Sequence, residues 1–207
     1  MTEHICDGDT PGYRRTVDAR GNGTVTPCPA CAAAKTVERL RAACGVPRRH
    51  ESATLGQSGR TASQDLARTA IAAPGDVLVH GPPGTGKTWL ACALVLHRVS
   101  LGLPAVYVSL GAALSRDRVA AQTGAKRVDW SAMAASPGLL VLDEVLPSTE
   151  WERSVADVLV VSRYEDCLDT VIVTNADLPT LASALSPPAF DRVRTFRRIV
   201  LDTVSLR

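Results

Sequence analysis

Eight consecutive residues carry the clearest chemical pattern in the chain. They are Gly81-Pro82-Pro83-Gly84-Thr85-Gly86-Lys87-Thr88, and they match G-x-x-x-x-G-K-[ST] at every fixed position. Glycines let the backbone curl so that successive N–H groups point at phosphate oxygens, and the helix expected after the loop favours an anion at its N-terminal end. Lys87 is expected to place its charge on the terminal phosphates, and the Thr88 hydroxyl to bind Mg²⁺. The pattern therefore predicts a site for ATP and magnesium.

A second chemical pattern is a pair of acids at the end of an apolar run, Leu139-Leu140-Val141-Leu142-Asp143-Glu144. Ligands of open α/β sheets bind at the carboxyl ends of strands, so Asp143 is expected to hold Mg²⁺ and Glu144 to polarise an attacking water. Taken alone, the run is equally consistent with acids that only solvate a strand end. Together with the phosphate loop it favours hydrolysis over storage of the nucleotide. We expect the acidic strand to lie next to the strand that precedes the loop.

A third apolar run, at 171–174, ends in Asn175. Its tip is expected beside the acidic strand, where Asn175 would hydrogen-bond the attacking water or the γ-phosphate. The alternative is that Asn175 only caps a helix starting near Leu178.

Residues 191–198 contain four arginines. Such a run is usually a solvated face. One arginine that crosses a subunit boundary would instead neutralise transition-state charge in a neighbour's site. Arg192 is our choice for this role, with Arg194 second.

The elements that must position these groups alternate between helices and apolar strands. The predicted strands cover 76–80, 105–109, 139–143, 170–174 and 199–202. The predicted helices cover 61–73, 87–100, 112–121 and 151–166, after a short helix at 32–44. Continuous apolar strands separated by helices indicate an α/β P-loop NTPase, with a parallel sheet of about five strands flanked by helices.

The N-terminal cysteines have the spacing of a zinc site. Cys28 and Cys31 form C-x₂-C, which lets two thiolates bind one tetrahedral ion, and Cys6 is the expected third ligand. His4 is favoured over Cys44 as the fourth; the alternative is a set of thiols without metal. This polar segment is too short to bury a core, so Zn²⁺ would supply its folding energy. The two remaining cysteines, Cys92 and Cys167, are expected in helices as buried small hydrophobes.

Composition limits the other functions. The 207 residues are 45% hydrophobic and 21% charged with a net charge of +2, which fits one medium domain with an appendage. We divide the chain into a head at 1–45, a linker at 46–60 and an ATPase core at 61–207. The longest apolar stretches are too short for a membrane span and the N-terminus has no signal segment, so a cytoplasmic location is expected. With aromatics at 4%, single-stranded DNA is at most a weakly bound, salt-sensitive ligand.

Four segments together resemble the DnaC/IstB-type branch of AAA+ ATPases, over roughly residues 45–207. They are GPPGTGKTWLA at 81–91, LLVLDEV at 139–145, SRYEDCLDTVIVTN at 162–175 and FDRV at 190–193. That branch contains replicative helicase loaders of bacteria and phages and helper ATPases of transposition. The most specific piece is Arg163-Tyr164-Glu165 leading into Thr174-Asn175, because it lies outside the general P-loop pattern.

The resemblance implies a role for each candidate residue. The roles are phosphate and Mg²⁺ binding for Lys87 and Thr88, the Walker B pair for Asp143 and Glu144, sensor 1 for Asn175, and the arginine finger for Arg192. The fold implied is the AAA+ (ASCE) core. Because the sequence stops at Arg207, just past the last predicted strand, no C-terminal helical lid is expected.

The head also resembles part of this branch, in the segments HICDG at 4–8, GY at 12–13 and PCPAC at 27–31. Some helicase loaders carry such a zinc-binding head, which helps them engage the helicase, whereas transposition helpers usually lack it. We therefore expect an ATP-hydrolysing loader of a hexameric replicative helicase that self-associates through its ATP sites. The alternatives are a transposition helper ATPase and a nucleotide-binding scaffold without turnover.

Overall fold

The structure is a computed structural model, and it describes residues 12–17, 19–56 and 62–201. Two sheets lie within these ranges: a two-stranded antiparallel hairpin and a five-stranded parallel sheet. The strands are β1 Tyr13–Val17, β2 Gly23–Pro27, β3 Val77–His80, β4 Ala105–Ser109, β5 Leu139–Asp143, β6 Thr170–Thr174 and β7 Arg197–Val200. The helices are α1 Pro29–Ala43, α2 Ala62–Ala72, α3 Lys87–Ser100, α4 Leu110–Thr123, α5 Trp130–Ala134, α6 Glu150–Glu165, α7 Leu178–Ala184 and α8 Pro187–Val193, with a 3₁₀ turn at Arg48–His50.

The large sheet has the order β4-β5-β6-β3-β7, and every pair in it is parallel. The predicted fold class is confirmed. Our expectation that the acidic strand adjoins the phosphate-loop strand is wrong, because β6 lies between β5 and β3. The apolar runs of buried parallel strands resemble one another, so their lateral order cannot be read from the runs themselves.

Both faces of this sheet are covered, which explains why its strands are apolar throughout. Successive side chains point to opposite faces. Val77 and Val79 of β3 pack into one core cluster, with residues of α3, and Leu78 packs into the other, with residues of α6. The sheet is therefore held on both sides, and its carboxyl edge is a fixed platform for the polar groups that follow the strands.

The region ahead of the core contains structure that we had not predicted. Our first predicted element was the helix at 32–44, yet β1 and β2 form a hairpin ahead of it, and α1 begins at Pro29 rather than near Ala32. The described side chains of the hairpin are largely exposed, so the apolar alternation that reveals a strand is missing. The backbone N–H of Cys28 donates to Gly12 O at 2.8 Å, which joins the hairpin to the start of α1.

Several other boundaries also differ from the prediction. The short helices α5 and α8 were not foreseen, and α4 starts at Leu110 because the Ser109 side chain caps it. Cys92 is buried in α3, as expected, but the expectation for Cys167 is wrong: it is exposed in the turn after α6, with φ 53°. After β7 the described part of the chain contains no helical lid. Nor does any helix in these ranges combine the length and the apolar character that crossing a membrane requires.

Arg163 is a fully buried cation near the end of α6. Its guanidinium donates to the carbonyls of Ala134, Ser136, Gly138 and Asp169 at 2.6–2.9 Å, and its Nε donates to Thr170 Oγ1 at 3.1 Å. These acceptors precede β5 and lead into β6. One side chain thus fixes the starts of the two strands whose far ends carry the predicted catalytic groups, which gives a physical reason for arginine in the segment 163–165.

We predict that Arg163→Met lowers the free energy of unfolding by at least about 3 kcal/mol, because several buried carbonyls lose their hydrogen-bond donor. Arg116→Met is the matched control. Arg116 is exposed on α4, so its loss should cost no more than about 0.5 kcal/mol. Denaturant unfolding of both variants provides the measurement. Equal stabilities would show that the Arg163 network does not hold the sheet.

Candidate nucleotide-binding site

The phosphate loop connects β3 to α3, and two of its glycines are required by its shape. Gly86 caps α3 with φ 91°, in the left-handed region that other residues rarely adopt. Gly81 has φ 141°, and a Cβ there would lie 2.0 Å from the carbonyl oxygen of Leu201. Glycine is therefore required at 81 because the backbone that follows β7 leaves no room for a side chain. It is required at 86 because α3 begins from a left-handed backbone conformation.

Lys87 is only 5% exposed, although it carries a charge. Its Nζ donates to Gly81 O and Pro82 O, both at 2.7 Å. Burial lowers the pKa of Lys87, and the carboxylate of Asp143 opposes that shift. The loop thus holds a desolvated cation at the edge of the cleft, where a phosphate oxygen would be a stronger partner than neutral carbonyls.

Asp143 ends β5 and is 3% exposed. Its Oδ2 accepts a hydrogen bond from the Tyr107 hydroxyl at 2.7 Å, and its Oδ1 accepts one from the Glu144 N–H at 2.8 Å. Burial, together with the hydrogen bond to Asp143, raises the pKa of Tyr107, so this phenol remains a donor. Tyr107 lies on β4, the neighbouring strand, and it fixes the orientation of the carboxylate expected to hold magnesium.

Glu144 has a positive φ of 61°. This conformation is uncommon outside glycine, and such residues concentrate at functional sites. The Glu144 Oε2 accepts a hydrogen bond from Ser109 Oγ at 2.6 Å, and the next N–H, of Val145, donates to Val173 O at 3.1 Å. The turn after β5 therefore directs the Glu144 carboxylate toward the end of β4. The backbone of the next residue, Val145, is hydrogen-bonded to β6.

A cleft of about 290 Å³ brings these groups together. Its lining consists of Arg49, His50, Pro83, Gly84, Gly86, Lys87, Thr88, Trp89, Asp143, Glu144, Thr174 and Asn175. Three strand ends contribute to it: the loop after β3, the acids at the end of β5 and the polar end of β6. The alternative role for Asn175 does not hold, because α7 is capped by Asp177, whose Oδ1 accepts from Thr180 N at 2.9 Å.

The donor set fits magnesium and a triphosphate. Mg²⁺ takes oxygen ligands, and the Thr88 hydroxyl and the Asp143 carboxylate both line the cleft. Lys87 and the backbone amides of the glycine loop suit the phosphates.

Several residues that line the cleft or contact its acids were not identified from the sequence. Tyr107 and Ser109 lie on an apolar strand that gave no sign of polar contact with the acids. Arg49 and His50 fall in the predicted linker, where two basic residues look like any solvated segment. Only the tertiary structure brings Arg49 and His50 to the cleft and places Tyr107 and Ser109 in contact with its two acids.

The two candidate arginines lie outside the residues that line the cleft. The Arg192 guanidinium stacks over the Tyr164 ring, 5.3 Å from its centroid, and pairs with Asp191 at 3.0 Å. Arg194 pairs with the same carboxylate at 2.8 Å, with its side chain 65% exposed. Action on a neighbouring subunit stays a prediction for both.

Of the candidate zinc ligands, His4 and Cys6 lie outside the described residues. Cys28 is buried at the N-cap of α1, and Cys31 follows one turn later. Cys44 lies beyond the far end of the same helix, so a rise of 1.5 Å per residue separates it from Cys28 by about 24 Å. That distance excludes Cys44 from the same ion. Within residues 12–17, 19–56 and 62–201, no group of three potential ligands forms a metal cluster, so zinc binding stays a prediction.

Comparison with known proteins decides the family. Residues 56–190 match the family model of the IstB-like ATP binding protein. The chain belongs to this family. The description of the family names ATP binding, which agrees with the residues that line the cleft described above.

Several solved structures share the fold of this chain. The DnaC helicase loader aligns with a TM-score of 0.64 and 22% identity, covering 75% of this chain and 100% of that one. DnaI aligns with a TM-score of 0.67 and 19% identity over 82% of this chain and 100% of that one. AMPPCP-bound DnaA from Aquifex aeolicus aligns with a TM-score of 0.63 and 18% identity, covering 73% of this chain and 50% of that one. At these identities the likeness concerns the fold.

A sequence relative comes from Schizosaccharomyces pombe, an uncharacterised AAA domain-containing protein. It is 31% identical over 112 residues, or 53% of this chain. This chain spans only 14% of that protein's length, so the likeness is confined to a part of it.

We predict that Tyr107→Phe weakens magnesium-dependent ATP binding about tenfold, because Asp143 loses the donor that orients it. The measurement is a titration of ATP at a series of Mg²⁺ concentrations. Tyr13→Phe, on the exposed hairpin strand, is the control and should leave the Mg²⁺ dependence unchanged. If the Tyr107 variant matches wild type at every Mg²⁺ concentration, the hydroxyl does not position the acid.

Proposed function

We propose that this protein hydrolyses ATP and uses the cycle to deliver a hexameric replicative helicase to DNA when replication begins. The observation that carries the proposal is the cleft itself. In it, Lys87 and Thr88 of the phosphate loop lie with Asp143 and Glu144 at the carboxyl edge of the parallel sheet. The cysteine-bearing segment ahead of the core, and the fold shared with a helicase loader, support a loading role. Such a role implies a cytoplasmic location.

In this proposal the loop residues 81–88 bind the phosphates through backbone N–H groups and the Lys87 ammonium. Thr88 and Asp143 hold Mg²⁺, which when bound neutralises charge that develops on the phosphate oxygens. Glu144 holds the attacking water and accepts its proton. Asn175, at the end of β6 between the two other strand ends, orients that water or the terminal phosphate.

Self-association completes the site in this proposal. Arg192 reaches the cleft of an adjacent subunit, where it stabilises the charge of the transition state. In the single subunit its guanidinium stacks on Tyr164 and pairs with Asp191, and it would exchange these contacts for the phosphate when subunits meet. Binding of ATP then favours the assembled conformation, and hydrolysis releases it. Single-stranded DNA is a further candidate ligand of the assembly.

A second candidate function is that of a transposition helper ATPase that coats duplex DNA. The match of residues 56–190 to the IstB-like family model favours it. A scaffold that binds nucleotide without turnover is the third. The first two differ in what the ATP-bound protein captures, and the third differs from both in having no hydrolysis.

We predict that Glu144→Gln retains ATP but loses at least about 100-fold in turnover, because the amide cannot accept a proton from water. ATP binding and phosphate release, measured with DNA and partner present, provide the test. Glu165→Gln, exposed at the end of α6, should hydrolyse ATP like wild type. Wild-type turnover by the Glu144 variant would remove it from the mechanism, and a wild-type protein without turnover under every condition would favour the scaffold.

Affinity capture separates the loader from the transposition helper. The Glu144→Gln protein, loaded with ATP, serves as bait in an extract of the native host. Recovery of a hexameric helicase is the result that the loader proposal predicts. ATP-dependent coating of duplex DNA, with no helicase recovered, would instead support the transposition helper.

We predict that the head binds about one zinc ion per chain through Cys6, Cys28, Cys31 and His4, and that Cys28→Ser abolishes this binding. Metal analysis of purified protein provides the measurement. The matched control is Cys167→Ser, an exposed thiol in the turn after α6, which should retain the metal. Equal zinc content in wild type and Cys28→Ser, or none in wild type, would contradict the zinc head.

A further inference from the structure

The 3₁₀ turn Arg48–His50 is held firmly on the ATPase core, although it lies ahead of it in sequence. Tyr107 N donates to Cys44 O at 2.8 Å, which fixes the chain after α1 to β4. At Gly45, φ is 71° and a Cβ would lie 2.4 Å from Tyr107 O, so the backbones are in close approach. On the other side of the turn, Ala53 is buried in the core and its N–H donates to His50 O at 3.0 Å. The turn therefore has a defined place.

That place is one wall of the nucleotide cleft. Arg49 and His50 line it together with Thr88 and the two acids at the end of β5. Burial and the neighbouring Arg49 lower the pKa of His50, while the Asp143 carboxylate acts in the opposite direction. The turn therefore shares the cleft with Thr88 and Asp143, the residues expected to hold magnesium beside the terminal phosphates.

Both residues line the cleft and have hydrogen-bonding or charge capacity that the protein itself does not use. His50 Nε2 is buried and has no hydrogen-bond partner. Arg49 is exposed and, within the described ranges, forms no salt bridge. The adjacent Arg48, in the same turn, is also exposed but does not line the cleft. The two arginines thus differ in access to the ligand and share charge, length and local backbone.

We propose that Arg49 contacts the terminal phosphate of ATP bound in the same subunit, with His50 as a second polar contact from the same turn. The proposal rests on ATP binding in the cleft, as set out above. A guanidinium on a phosphate forms charge-assisted, often bidentate hydrogen bonds, which a neutral side chain does not supply.

The contact would link two parts of the chain. The turn joins α1, which carries Cys28 and Cys31, to the core that binds nucleotide. ADP lacks the phosphate that Arg49 contacts, so the turn distinguishes the two nucleotides. The segment between the cysteine-bearing head and the core is then a direct sensor of the nucleotide state.

The test compares Mg·ATP and Mg·ADP affinities of full-length wild type, Arg49→Ala and Arg48→Ala, by titration calorimetry at one fixed salt concentration. Arg49→Ala should bind ATP about tenfold more weakly while its ADP affinity changes less than about threefold. Arg48→Ala should bind both nucleotides like wild type. Thermal unfolding checks that the variants fold, and Arg49→Lys, which keeps the charge, should recover part of the loss.

Each outcome has a distinct meaning. ATP and ADP affinities equal to wild type in Arg49→Ala would overturn the phosphate contact and leave the ATPase proposal intact. Equal losses in both arginine variants would also overturn it, since they would indicate a general effect of positive charge. Absence of ATP binding by folded wild type would overturn the proposed function and the contact together.

Discussion

The site depends on the electrostatic interaction between two buried charges, the Lys87 ammonium and the Asp143 carboxylate. Both are at most 5% exposed, and the field of Asp143 acts on Lys87. Removing a charge from water is costly unless hydrogen bonds replace the hydration. Loop carbonyls perform this role for Lys87, and the Tyr107 hydroxyl and the Glu144 N–H perform it for Asp143. The fold thus supplies a partner for each charge while keeping them close enough to act on one bound ligand.

The lateral order of the strands sets the width of the site. Because β6 lies between β3 and β5, the ends of those two strands are separated by two strand spacings, about 10 Å. This gap accommodates a phosphate group and a hydrated magnesium ion, and Asn175 at the end of β6 lies in its middle. Arg163, buried at the opposite edge, fixes the starts of β5 and β6 and so helps to hold these two strands in register.

Much of this arrangement could be predicted from local sequence. The strands at 105–109, 139–143 and 170–174 have the predicted bounds. A buried parallel strand is a nearly continuous apolar run, and polar residues mark where it ends. The phosphate loop and the acids were visible for a related reason: their chemistry requires particular residues at consecutive positions.

Features that depend on distant parts of the chain could not be predicted. The order of the strands, the Tyr107–Asp143 hydrogen bond and the approach of Arg49 to the cleft all join segments far apart in sequence. The hairpin β1–β2 was missed for a different reason, since its described side chains are largely exposed and leave no apolar period. The role of Arg163 was also hidden, because an arginine in a polar helix end usually faces solvent.

The central claim is that ATP is held by the loop of residues 81–88 against the acids at the end of β5. Titration of Mg·ATP into wild type and into Lys87→Ala tests it most directly, with folding of both verified by circular dichroism. We expect one saturable site in wild type and an affinity at least about tenfold lower in the variant, since the buried charge that meets the phosphates is gone. A well-folded wild-type protein that binds no Mg·ATP, or a Lys87 variant with undiminished affinity, would contradict the account.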